Sequence, residues 1–218
     1  MNRGSQSLLL KIFHNNRFFY VATLLILFVG VGATYRSVSN EYTVDMDFDM
    51  LSSGDLIFVR GSTIRGTIVR FFEKSNQYSH VGIVVKNDNS IQVIHASPGE
   101  NAEHVIRKVS LAEFVADEKI TDFAIYRVSE DHQLLQKATS YAEECARNKV
   151  PFDDAFSMKS EDSLYCTELV WRAYIQCNIN LCSHGFSSVA SLFIHEPIIL
   201  PSNILSWEKL RCVIKIHK

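Results

Sequence analysis

Tyr78-Ser-His-Val-Gly-Ile-Val-Val-Lys-Asn-Asp-Asn-Ser-Ile-Gln-Val-Ile-His-Ala96 holds two β-branched runs, His80–Lys86 and Ile91–Ala96, separated by Asn-Asp-Asn-Ser. Polar turn residues between such runs are a hairpin signal. The register follows from the loop. With two loop residues (88–89) or four (87–90), His95 falls opposite Gly82, and His80 lies two residues from Gly82 on the same face. The two histidines are then diagonal cross-strand neighbours, about 7–8 Å apart at the backbone and within reach of each other's rings. A loop of three or five residues would shift the register by one and turn His95 to the other face.

A second stretch gives this pair something to act on. Ser163-Leu-Tyr-Cys-Thr-Glu-Leu-Val-Trp-Arg-Ala-Tyr174 has Leu169, Val170, Ala173, Tyr174 and Cys177 at helical spacing. Ser163 or Asp162 is the expected N-cap, which puts Cys166 at the third or fourth helical position. There the unpaired N–H groups and the helix dipole favour negative charge, and the expectation is a lowered thiol pKa. Taken alone, a cysteine on an apolar helix face is more often packing than chemistry. A thiol hydrolase needs a thiolate, an imidazole in hydrogen-bond reach and a third polar group that fixes the imidazole's tautomer. Cys166, His80 and His95 supply those three types, and members of such a triad need not be close in sequence.

The rest of the chain bounds the setting. At 218 residues, 47% hydrophobic and 21% charged, it has room for one globular domain and a terminal appendage. The net charge of −2 with no basic patch argues against a nucleic-acid partner. Behind the basic leader Arg3, Lys11 and Arg17 runs an uncharged apolar segment, residues 18–33. It reads as a signal anchor or, with Val31-Gly-Ala33 as a small-residue site, a cleaved signal peptide. The expected organisation is a leader and hydrophobic segment over 1–35, an acidic linker over 36–53 and a domain over 54–218. The positive leader would stay inside, so the domain would be exported, either membrane-anchored or released there.

Within the domain, Gly54-Asp55 marks a turn before a strand at Leu56–Arg60. Ile64–Lys74 has helical spacing, Val105–Val109 and Phe123–Val128 read as strands, and Ser110-Leu-Ala-Glu113 as a capping box. His132–Asn148 is an amphipathic helix, and Arg211–His217 a closing strand. Five cysteines permit up to two disulfides among Cys145, Cys177, Cys182 and Cys212 with Cys166 left over. Cys145, Cys177 and Cys212 fall on apolar faces. No Cys-x-x-Cys spacing points to a metal.

Gly-Asp-Leu-Ile-Phe (54–58) followed by Tyr-Ser-His-Val-Gly-Ile-Val-Val (78–85) resembles the strand pair of the NlpC-type papain-like cell-wall hydrolases. In ordinary members of that superfamily the cysteine helix comes first. Here it follows the strands, and together with Pro-Phe-Asp (151–153) and Tyr-Cys-Thr-Glu-Leu-Val-Trp (165–171) this order resembles the circularly permuted YiiX/YebB-like amidases. The resemblance implies an α+β, permuted papain-like fold, with a small antiparallel sheet of five or six strands packed against the nucleophile helix. It implies Cys166 as nucleophile, His80 as general base and later acid, and His95 as orienter. It also implies a thioacyl-enzyme route to amide hydrolysis without metal or organic cofactor.

Phe152, Asp153 and Glu168 are the candidate substrate contacts, although a helix-surface carboxylate exposed to solvent is the plainer reading of Glu168. Three departures stand out. Thr167 replaces the family's usual serine, Phe152 stands where tyrosine is frequent, and His95 stands where glutamate is frequent. Were His95 turned away, Glu100, His104 or Asp153 would be its substitutes. The expected substrate is a peptide amide, with cell-wall stem peptides first. The alternatives are a lipid-directed thioesterase or acyltransferase of the same fold and a non-catalytic binding module.

Overall fold

A computed structural model describes residues 48–61, 78–88, 90–98, 105–116, 120–189 and 196–217. The apolar segment 18–33, the helical pattern Ile64–Lys74, and Glu100 and His104 lie outside the described residues. Among the described residues no helix is long and apolar enough to cross a membrane. The compact unit begins at Asp47, a few residues inside the stretch read as linker. Phe48–Met50 forms a single 3-10 turn and Leu51 is already buried.

Six strands form one antiparallel sheet: β1 (Leu56–Gly61), β2 (His80–Asn87), β3 (Ser90–Ser97), β4 (Val105–Ser110), β5 (Ile120–Val128) and β6 (Leu210–His217). Their order across the sheet is β4-β3-β2-β1-β5-β6. Among the described residues four helices accompany them: α1 (Leu111–Ala116), α2 (His132–Arg147), α3 (Cys166–Ile175) and α4 (Pro201–Leu205). The α+β expectation holds, with the histidine strands ahead of the cysteine helix in the chain.

Period-two alternation divides the strands between two faces. Leu56, Phe58, Val81, Ile83, Ile94 and Ile106 are buried in one core with Leu135, Ala138 and Ala142 of α2 and Leu169, Val170 and Ala173 of α3. The opposite face carries Ile57, Val84, Val93, Phe123 and Ile125, which are also buried. Burial on both faces is why these strands read as nearly continuous apolar runs. At the turn before β1, Gly54 has φ of +89°, a left-handed conformation natural to glycine. Its carbonyl accepts the hydroxyl of Tyr174, tying α3 to the sheet. The neighbouring Asp55 is buried and takes a two-pronged ion pair from Arg127 of β5, at 2.8 Å from Nε and 2.7 Å from Nη2.

All five cysteines are free thiols, so no disulfide forms among Cys145, Cys177, Cys182 and Cys212. Cys212 is exposed, against the apolar-face expectation. The β5–β6 register slips between Ile125 and Tyr126, which interrupts the alternation on this edge strand.

Candidate active site

The β2–β3 hairpin has the two-residue loop: Asn87 pairs with Ser90, and the ladder runs on through Val84↔Val93 to Ile83↔Ile94. His80 and His95 therefore share a face, and their side chains meet, with Nε2 of His80 3.0 Å from Nδ1 of His95. Gly82 sits between them. A Cβ there would lie 2.5 Å from Val93 Cγ1, 3.1 Å from the Ile94 carbonyl and 3.4 Å from His95 Cβ. Glycine thus permits the close approach of β3, with Val93 the tightest constraint and the Ile94 carbonyl the next.

Cys166 reaches the same end of the sheet from the other layer. Val84 exchanges hydrogen bonds with Gly54 and Asp55 on the β1 side, so alternation turns the Val81 N–H toward β3. The β2–β3 ladder has ended by then, and the Val81 N–H points instead to the Cys166 sulfur. An in-plane strand N–H places that sulfur at the strand edge, one residue along from His80.

The helix itself starts later than the capping pattern suggests. Tyr165 is the N-cap and Cys166 the first helical residue, without a side-chain cap. The reason lies upstream, where Leu164 is held extended. Its N–H donates to the Pro151 carbonyl at 2.9 Å, and its own carbonyl accepts from the Asp153 N–H at 3.2 Å. Ser163 and Asp162 therefore precede an extended residue and cannot cap. Thr167 pins the helix start by donating to the Ile199 carbonyl at 2.7 Å, and the Tyr165 hydroxyl accepts from the Ile199 N–H at 3.0 Å.

The expected acidic thiol is corrected by burial. The backbone N–H groups of Val81, Thr167 and Cys166 all favour the thiolate, but desolvation outweighs them and pushes the Cys166 thiol up to about 11. Burial and the nearby Arg107 charge lower His80 to about 4. His95 is also held well below the ordinary histidine value, by burial and by the charges of His80 and Arg107. At neutral pH the resting forms are thus a thiol and neutral imidazoles.

Phe152, Asp153 and Glu168 are all brought to the N-terminal end of α3, and all are buried. Phe152 packs edge-on against Phe156. The two Asp153 oxygens accept from the N–H groups of Ala155 and Ser157, each at 2.8 Å. Glu168 is completely buried, which overturns its reading as a solvated carboxylate. Its Oε1 pairs with Arg172 at 2.7 Å, its Oε2 has no hydrogen-bond partner, and burial raises it to about 7 despite the arginine. These contacts make the three residues supports of the helix start.

Two neighbours escaped sequence reasoning. Phe114 of α1 stacks on His80, with ring centroids 5.9 Å apart, and meets His95 edge-on at 5.0 Å. Arg107 of β4 stands directly opposite His95. The capping box pointed to α1, but nothing local fixes the β3–β4 register. Among the described residues no group of three His, Cys, Asp or Glu side chains is arranged to hold a metal ion.

A cysteine at a helix start, set at the edge of an antiparallel sheet whose histidine strands precede it in the chain, defines a papain-like thiol hydrolase in permuted order. The chain belongs to the permuted papain-like amidases of the YaeF/YiiX, C92 family, which matches residues 50–192. No curated relative matches it. Among solved structures it is similar in fold to the metalloprotein YiiX from Escherichia coli O157:H7. That likeness has a TM-score of 0.61 at 18% identity and covers 78% of this chain and 99% of the other.

Proposed function

We propose that the protein is a cysteine amidase in which Cys166 attacks, His80 moves the proton and His95 orients His80, acting on peptide amides of the cell wall. The observation that carries this reading is the 3.0 Å contact between the two histidines, beside the Val81 N–H that points to the Cys166 sulfur.

The contact fits only one arrangement of protons useful for catalysis. His80 Nε2 carries hydrogen and donates to Nδ1 of a neutral His95, which leaves the lone pair of His80 Nδ1 free to take the thiol proton. As the sulfur attacks the amide carbonyl, the oxyanion is met by the Cys166 N–H. His80 then gives the proton to the leaving nitrogen, the C–N bond breaks, and a thioacyl enzyme forms. Water, deprotonated by His80, releases the acid and restores the thiol. Phe152 contributes no hydroxyl, so oxyanion binding depends on backbone donors. Asp153 and Glu168 serve by fixing the loop and helix start. Residues 18–33 tether the exported domain at a membrane, which keeps it near its polymeric substrate.

Incubation of the protein with purified muropeptides, and separately with phospholipids, followed by mass spectrometry tests the reading. New amine and carboxylate termini on muropeptides, absent with Cys166→Ala, are expected. Cleavage of phospholipids alone would replace it with lipid-directed chemistry.

A further inference from the structure

We propose that Arg107 anchors an anionic group of the substrate, a carboxylate or a phosphate, beside the His80–His95 pair, making the enzyme selective for acyl compounds that carry negative charge near the scissile bond. The inference rests on Cys166 being the nucleophile and adds the substrate's charge class.

Arg107 is the direct cross-strand partner of His95. Such partners project from the same face, so the guanidinium stands beside the imidazole pair. Its charge reaches both rings and disfavours their protonation. Other half-buried arginines among the described residues are matched, Arg60 by Asp122, Arg127 by Asp55 and Arg172 by Glu168. Arg107 forms no ion pair among the described residues, and its buried Nε has no acceptor. A buried N–H without an acceptor is a cost that a ligand oxygen removes, and a guanidinium fork suits carboxylate and phosphate oxygens.

The charge balance of the reaction points the same way. Once His80 has taken the thiol proton it is an imidazolium facing Arg107, a like-charge arrangement that opposes the step. An anion seated on Arg107 cancels that repulsion when substrate is present. In a substrate without the anion, the arginine works against catalysis.

The test alkylates the full-length protein with iodoacetate, an anion, and iodoacetamide, its neutral counterpart, reading adducts at Cys166 by peptide mass spectrometry. Arg107→Gln is expected to lower the iodoacetate-to-iodoacetamide rate ratio about tenfold, as loss of a nearby unit charge requires, while Arg107→Lys keeps most of it. In wild type, at ionic strength matched with chloride, inorganic phosphate or acetate should slow iodoacetate saturably without slowing iodoacetamide. Whichever anion acts at lower concentration identifies phosphate or carboxylate as the ligand chemistry. An unchanged ratio in Arg107→Gln, or no saturable protection by either anion, overturns the proposal. The protection arm needs no variant, so misfolding of Arg107→Gln leaves the question decidable. Failure of the catalytic reading shows separately, as iodoacetamide labelling of Cys166 that His80→Ala does not slow.

Discussion

His80 and His95 meet nitrogen to nitrogen, Nε2 to Nδ1 at 3.0 Å, and only one of them can carry the proton between them. Protonation of His95 at Nδ1 would reverse the donor, forcing the hydrogen of His80 onto Nδ1 and removing the lone pair that is to take the thiol proton. Burial, with the charges of His80 and Arg107, holds His95 well below the ordinary histidine value, and in the proposed mechanism it serves as a neutral acceptor. Replacing it separates its acceptor role from its bulk. His95→Ala is expected to lower kcat by about 100-fold, the lower range for loss of a properly held general base. His95→Asn, which keeps an oxygen acceptor, should recover much of that loss, with KM little changed in both.

The same electrostatics set the pH profile. Because His80 is lowered to about 4, it remains a base well below pH 6.5. The acidic limb of kcat/KM is expected between about pH 4 and 5. His95→Glu introduces a negative charge that stabilises the His80 imidazolium, so the limb should move upward by a unit or more. A limb fixed near 6.5 in both proteins would contradict the burial argument.

Stability on acidification follows from the same groups. The unfolded chain binds protons at His80 and His95 below pH 6.5, whereas the fold excludes them until about pH 4 at His80 and lower than the ordinary value at His95. Stability is therefore unaffected by them above 6.5 and is lost as pH falls, on the order of 3 kcal/mol for His80 once pH is below 4. Glu168 has the opposite sign. Its raised value, about 7, means that the fold takes up its proton before the unfolded chain does, so stability is gained as pH falls from 7 toward 4.5. Urea unfolding of Glu168→Gln should show a steeper loss between pH 7 and 5 than wild type.

Gly82→Ala tests the close approach of β3. A methyl placed 2.5 Å from Val93 Cγ1 must displace that side chain, and crowding of the Ile94 carbonyl at 3.1 Å presses on the strand as well, which is expected to cost about 1–3 kcal/mol. Because His95 follows two residues after Val93, kcat should fall as well. Val93→Ala removes the clashing atom, so the double variant should be more stable than the sum of the single changes. Simple additivity in denaturant titrations would show that the clash lies elsewhere.

Much of this arrangement was legible in residues 78–96, because a hairpin with an even loop fixes its own register. The outcomes that were not legible depend on distant chain. The start of α3 moved to Tyr165 because Leu164 is held extended by residues 151–153. The thiol's acidity reversed because burial by the sheet outweighs the helix N–H groups, and no local pattern reports that burial. Arg107 reached the site through a β3–β4 pairing whose register the connecting loop does not reveal. Glu168 looked like a surface carboxylate at helical spacing, but Arg172 one turn on allowed it to be buried as a pair.

Labelling with an epoxide probe for cysteine hydrolases, with the modified residue read by peptide mass spectrometry, tests the central claim most directly. A single adduct at Cys166 is expected, lost in Cys166→Ala and strongly slowed in His80→Ala. Labelling at Cys145, Cys177, Cys182 or Cys212 in its place, or labelling of Cys166 at the same rate without His80, would contradict it.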